Sequence, residues 1–189
     1  MSRRNEWRVF CAVELPDAVR VRLEDHVRRL RKEVPDAAAS WSRVENIHLT
    51  LKFFGNVEVK RIEKISVAAE RVVKQFSTFQ IGVGETGVFP RPSRPQVLWI
   101  GVNDPSGQLS ALQAKFENEC AAEGFEKEDR VYRPHLTIAR LRKPERHLTD
   151  AHLHMKFELI EIAVRELVVF RSELSSKGAR YTSISRVSF

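Results

Sequence analysis

At 189 residues, with 42% apolar and 30% charged side chains, the chain can bury one sizeable core or two small lobes that share one, and neither value suggests disorder. No apolar run approaches the roughly 20 residues of a bilayer span, and MSRRNEWRVF lacks the apolar stretch and small-residue site of a secretory signal, so a cytoplasmic protein with no membrane partner is expected. The formal charge of +7 and a pI of about 9.7 favour an anionic partner, nucleic acid included.

Arg8 to Leu15 (RVFCAVEL) is β-branched, aromatic and apolar up to Pro16 and predicts a strand. Asp17 is placed to cap the helix that follows, with Val19, Leu23, Val27, Leu30 and Val34 on one face at steps of three and four, and Pro35 closes it. The densest basic stretch, Arg28 to Lys32, falls at that helix's end, where cations suit the dipole and read as solvated surface. Ile47 to Phe54 alternates and predicts a strand stopped by Gly55. Glu58 to Gln75 predicts a helix with Ile62, Ile65, Ala69, Val72 and Phe76 on one side, and Phe79 to Phe89 one strand or two before the turn Pro90 to Pro95.

The pattern then restarts. Gln96 to Val102 (QVLWIGV) predicts a strand, Asp104-Pro105-Ser106 opens a helix carrying Leu109, Leu112, Phe116 and Cys120, and Gly124 is placed to end it. His135 to Leu141 predicts a strand, Thr149 to Met155 a short helix, Phe157 to Phe170 strand, and Arg180 to Phe189 a last strand after the turn Ser175 to Gly178. Cys11 and Cys120 stand in apolar contexts and predict reduced, buried thiols, and no Cys/His spacing supports a zinc site.

Val9 to His48 spans 39 positions and Val97 to His135 spans 38, so strand, helix and histidine-bearing strand recur at nearly one period. We read an internal duplication, with approximate repeats 8–95 and 96–189 forming two pseudo-symmetric lobes of one catalytic domain. The expected fold class is α+β: two mainly antiparallel sheets, helices outside, and a central cleft between the lobes.

The two histidine strands read almost alike, Asn46-Ile47-His48-Leu49-Thr50-Leu51 and Arg133-Pro134-His135-Leu136-Thr137-Ile138. Composition alone gives His-x-Thr about 0.2 times in such a chain, yet it occurs three times. The third copy, His147-Leu148-Thr149, lacks the aliphatic fourth residue, and Thr149 is expected as a helix cap. Because side chains alternate along a strand, His48 and Thr50 share one face, as do His135 and Thr137, while the aliphatic residues turn to the core. Two imidazoles facing one cleft suit paired acid and base work, and each hydroxyl can hold a phosphate oxygen, which points to a phosphodiester.

Paired H-x-T-aliphatic motifs at this spacing resemble the two-histidine (2H) phosphoesterase superfamily. FCAVELP, HLTLKFFG, QVLWIGV, RPHLTIAR, FRSEL and the Gly178 to Tyr181 stretch extend the resemblance over nearly the whole chain, towards the RNA 2′,3′-cyclic phosphodiesterase (2′-5′ RNA ligase-like) branch. The resemblance implies hydrolysis of RNA 2′,3′-cyclic phosphate ends to 2′-phosphates with no metal and no cofactor. It implies His48 as proton donor, His135 as proton acceptor, and Thr50, Thr137 and Arg140 as phosphate-binding residues. Sequence chemistry alone does not distinguish the two histidines. Strict alternation puts Arg140 opposite His135, so a bulge or the strand end must turn it inward, and Arg133, which is in phase, is the reserve candidate. Lys52, in phase with His48, is expected to meet RNA phosphates. Phe53 can stack a base but at this phase is expected in the core.

Three alternatives remain at this point. The same site run backwards would ligate RNA ends through a 2′-5′ bond. An RNA-binding module without turnover would use the same charge and aromatic side chains. A metal hydrolase would use His48 and His135 as ligands, but no carboxylate recurs with them at metal-site spacing. No protein partner is implied, and a monomer is expected.

Overall fold

The computed structural model describes residues 5–176 and 178–189. In chain order the elements are β1 (Glu6–Val13), α1 (Asp17–Glu33), β2 (Ala39–Trp41), β3 (Leu49–Glu58), α2 (Ile62–Val73), β4 (Phe79–Phe89), β5 (Val97–Asn103), α3 (Gln108–Ala122), β6 (His135–Leu141), α4 (Arg146–His154), β7 (Ile160–Val164), β8 (Glu166–Ser175) and β9 (Gly178–Ser188). The strands form two antiparallel sheets, ordered β3-β1-β8-β9 and β2-β6-β5-β4-β7, and the fold class is α+β.

Each half of the sequence sends two strands into the other sheet, β2 and β4 from the first half and β8 and β9 from the second. β4 leaves the first half to pair with β5, and β8 leaves the second to pair with β1. A sheet therefore does not coincide with a half of the sequence: Pro95 and Gln96, the expected boundary, fall between two strands that pair with each other. Within each sheet, the first strand, its helix and the motif strand repeat, as β1-α1-β3 and β5-α3-β6.

Helix faces follow the apolar spacing. Val19, Leu23, Val27 and Leu30 of α1, and Ile62, Ile65, Ala69 and Val72 of α2, are buried in one continuous core with Leu49, Leu98, Ile100, Leu136 and Ile138 of the sheets. Cys11 and Cys120 are free and buried in it.

Some local expectations change. Pro16, not Asp17, occupies the cap position of α1, and Asp17 is its first helical residue. The Asp104 carboxylate does cap α3, accepting from the backbone N–H of Leu109 (3.2 Å) and Ser110 (2.9 Å). Thr149 is inside α4, its hydroxyl donating to the Glu145 carbonyl at 2.8 Å, so it is no cap. Gly55 does not stop β3: at φ +69° it lets the strand bulge and continue to Glu58.

Candidate active site

His48 directly precedes β3, and the alternation holds: His48 and Thr50 are half-buried, Leu49 and Leu51 fully buried. The Nδ1–H of His48 donates to the Asn46 carbonyl at 2.7 Å, and the Asn46 side chain is itself tied to the Ala179 carbonyl at 2.7 Å. Phe10 stacks on the imidazole with centroids 4.4 Å apart, and Tyr181 meets it edge-on at 5.3 Å. Burial pulls the His48 pKa down to about 4, with Arg20 adding to the effect, while the Asn46 carbonyl and Glu14 oppose it.

His135 opens β6 and repeats the arrangement. Its Nδ1–H donates to the Arg133 carbonyl at 2.7 Å, again two residues upstream. Phe89 stands edge-on to it at 4.9 Å. Burial again lowers its pKa, the Arg133 carbonyl opposes, and the Arg140 guanidinium lowers it further. A carbonyl can only accept, so it fixes the Nδ1–H tautomer in both rings. Each neutral imidazole then carries its lone pair on Nε2, the atom left for chemistry.

The two motif strands are in contact with each other, although they belong to different sheets. The Tyr132 hydroxyl, from the segment leading into β6, donates to the Thr50 carbonyl at 3.2 Å. Arg140, on β6, acts electrostatically both on His135 and on Tyr181, the ring that leans on His48.

Both motifs are followed by a bulge at the same place, and the bulges decide which later side chains join the histidines. Opposite β5, Thr137 pairs with Trp99 and Ala139 with Leu98, so Ile138 is the extra residue. Opposite β1, Thr50 pairs with Ala12 and Lys52 with Cys11, so Leu51 is the extra residue. Alternation is therefore reversed beyond each motif. Arg140 pairs with Val97, two residues from the partner of Thr137, and stands exposed on the His135 face. It has no ion-pair partner among the described residues.

In the first motif the same reversal overturns two expectations. Lys52 is turned away from the His48 face and buried at 5% exposure, with Nζ 2.7 Å from Glu117 Oε2 and 2.8 Å from the Glu126 carbonyl. A lysine so enclosed is not placed to meet RNA. Phe53, expected in the core, is instead 47% exposed and pairs with Phe10 on the histidine face. Arg133 is exposed, and its backbone carbonyl is what holds His135.

Among the described residues no group of His, Cys, Asp or Glu is arranged to hold a metal ion, and no helix is long and apolar enough to cross a membrane. Two hollows, one of about 340 Å³ between α1 and Lys156 to Glu158 and one of about 710 Å³ between the end of α1 and α4, contain none of His48, Thr50, His135 or Thr137. Sequence reasoning overlooked Phe10, Phe89 and Tyr181 as the aromatic surroundings of the histidines. Their only signal was position: each lies on the histidine-facing side of a strand that register, unknown from sequence, places beside a motif.

The α+β fold with its duplicated His-x-Thr strands fits the 2H phosphoesterase class, and the comparisons place the chain there. The fold matches a crystal structure from Thermus thermophilus at a TM-score of 0.80, with 25% identity over 96% of this chain and 97% of that one. It matches Escherichia coli LigT, crystallised with 3′-AMP, at a TM-score of 0.77, 23% identity, and 97% and 98% coverage. The family model of the 2′-5′ RNA ligase superfamily matches residues 16–175, and the chain belongs to that superfamily. Relatives named RNA 2′,3′-cyclic phosphodiesterase include those of Methanothermobacter thermautotrophicus, 34% identical over 94% of this chain and 96% of the relative, and Thermotoga maritima, 31% identical over 96% and 95%.

Proposed function

We propose that the chain hydrolyses the 2′,3′-cyclic phosphate at an RNA end to a 2′-phosphate, without metal or cofactor, as a cytoplasmic monomer. The observation that carries the reading is the pair of histidines at the starts of two touching strands, each with Nδ1–H fixed on the carbonyl two residues upstream and Nε2 left for the substrate. The names of the relatives and the basic charge support the same substrate class.

In this mechanism Thr50, Thr137 and Arg140 hold the non-bridging oxygens, and their donors stabilise the charge that builds up in the transition state. His135 Nε2 takes a proton from water as its oxygen bonds to phosphorus. The bond from phosphorus to the 3′ oxygen breaks, and His48 Nε2–H delivers a proton to that oxygen. Burial keeps both rings uncharged near neutral pH in the free protein, which suits the base as it stands. The anionic phosphodiester supplies the negative charge that favours a protonated His48 once bound.

The test is an RNA ending in a 2′,3′-cyclic phosphate, incubated in EDTA and analysed by mass and phosphatase sensitivity. Conversion to a 2′-phosphate, reduced by about two decades or more in His48→Ala and in His135→Ala, is the expected result. No turnover by the wild type, or turnover abolished by EDTA, overturns the reading.

A further inference from the structure

Phe10 lies flat on the His48 imidazole and Tyr181 meets it edge-on, and these contacts fix the plane of the ring. They do not fix its flip. Rotation by half a turn about the bond from Cβ to the ring keeps the plane, and it exchanges Nδ1 with Cδ2 and Nε2 with Cε1. The Asn46 carbonyl, 2.7 Å from Nδ1, selects one of the two orientations. Whatever holds that carbonyl therefore decides where the reactive nitrogen points.

Asn46 ends a single turn of 3₁₀ helix, Val44–Asn46, and a piece this short has little stability of its own. Its supports come from elsewhere in the chain. The Arg20 guanidinium, on α1, donates from Nη1 to the Val44 carbonyl at 2.9 Å and the Glu45 carbonyl at 3.1 Å, and from Nε to the Leu15 carbonyl at 3.1 Å. Arg20 thus takes two of the turn's three carbonyls, and the third is left for His48. From the other side the Asn46 amide donates to the Ala179 carbonyl, at the start of β9, at 2.7 Å. Tyr181 stands two residues further along that strand. The hairpin β8–β9 therefore reaches the imidazole twice, by a ring against its edge and by a backbone carbonyl through Asn46. The segment before His135 is built differently. Residues 125–134 form neither helix nor strand, the Arg133 side chain is exposed, and the segment is tied to β3 by the Tyr132 hydroxyl on the Thr50 carbonyl.

Resting on the hydrolase reading above, we infer that Asn46 is a positioning residue for that reaction: through its amide the C-terminal hairpin fixes the carbonyl that orients His48. Asn46 acts through His48 and not on the substrate. Without the amide donor the turn is held on the Arg20 side only, its last carbonyl swings, and His48 samples the flipped ring and the Nε2–H tautomer. The productive fraction of the enzyme then falls while the groups that bind the substrate stay in place, so the loss belongs in kcat and not in KM.

The experiment compares the wild type with Asn46→Ala and with Asn46→Asp, which keeps the side chain's shape and removes its donors. ¹⁵N NMR of the neutral imidazoles reads the tautomers with no substrate present. The expected result is Nδ1–H at His48 in the wild type, a mixture with Nε2–H in both variants, and Nδ1–H at His135 in all three. On a 2′,3′-cyclic phosphate end, kcat should fall about tenfold in both variants with KM held within about twofold. A His48 that keeps its tautomer in Asn46→Ala, an Asn46→Asp variant that behaves as wild type, an equal change at His135, or a loss confined to KM overturns the role. If the wild type turns over nothing but the His48 tautomer still depends on Asn46, the hydrolase reading falls and Asn46 stands as the residue that orients His48.

Discussion

The ring of Phe10 lies on the imidazole of His48, 4.4 Å from centroid to centroid with the planes 21° apart. Phe10 is 3% exposed and belongs to a small apolar cluster with Ala12, Val168 and Phe170, so the side chain covering the first histidine is held by β1 and β8. Burial is the main cause of that histidine's low pKa. Phe10→Leu, which opens one face of the ring to water, should raise the His48 pKa from about 4 towards the ordinary value near 6.5, read by NMR titration of the imidazole. A pKa that stays near 4 would assign the effect to Tyr181 and Phe170 instead.

The pH profile follows from both shifts. In the proposed mechanism the productive free enzyme holds one proton between two imidazoles whose pKa values are both lowered from 6.5. The bell of kcat/KM should therefore centre on the acid side of 6.5, while the basic limb of kcat moves to higher pH because the bound phosphodiester favours protonated His48. Superimposable kcat and kcat/KM profiles would contradict this.

Lys52 tests the correction in the first motif. The pair with Glu117 is buried, with side chains 4% and 11% exposed. Lys52→Met strands a carboxylate and should cost about 3 kcal/mol in denaturant unfolding, with most of it recovered when Glu117→Gln is added. The folded fraction should keep its activity. A selective loss of RNA turnover without loss of stability would restore Lys52 to the substrate.

A second buried pair predicts acid sensitivity away from the site. His152 Nε2–H lies 3.1 Å from both the Gly87 and Trp99 carbonyls, so its Nδ1 must accept from His26 Nε2–H at 3.2 Å. Burial lowers both pKa values, that of His26 to about 4, with His152 and Arg29 adding to the fall at His26 and Asp25 opposing it. The folded state thus binds fewer protons than the unfolded one. The stability from this pair is fully present above pH 6.5 and lost as pH falls from there towards 4. Urea unfolding at about pH 7.5 and about pH 5 should show a loss on the order of 1–2 kcal/mol, smaller in His26→Phe. Equal pH slopes in the two proteins would show that His26 does not contribute.

Much of the fold and the centre of the site could be read from the sequence, because both rest on periodicity. The alternation in HLTL and HLTI separates His48, Thr50, His135 and Thr137 from the core, and the steps of three and four along α1 and α2 mark their buried faces. What was missed lies just after each motif. A bulge inserts one residue without changing composition, so Leu51 and Ile138 look like any strand aliphatic, and Lys52 and Phe53 were assigned to each other's faces. Strand exchange was hidden for a related reason: neighbours in a sheet depend on long-range pairing, and nothing within β4 or β8 names its partner.

Tyr181 reaches His48 from the last strand of the chain, and β8 and β9 together make half of the first sheet. The surroundings of that histidine are thus contributed by both ends of the sequence. During synthesis the strand bearing the first motif emerges long before the hairpin that encloses it. Stalled chains lacking 166–189 should therefore show no turnover of a cyclic phosphate end, and releasing the full chain should restore it.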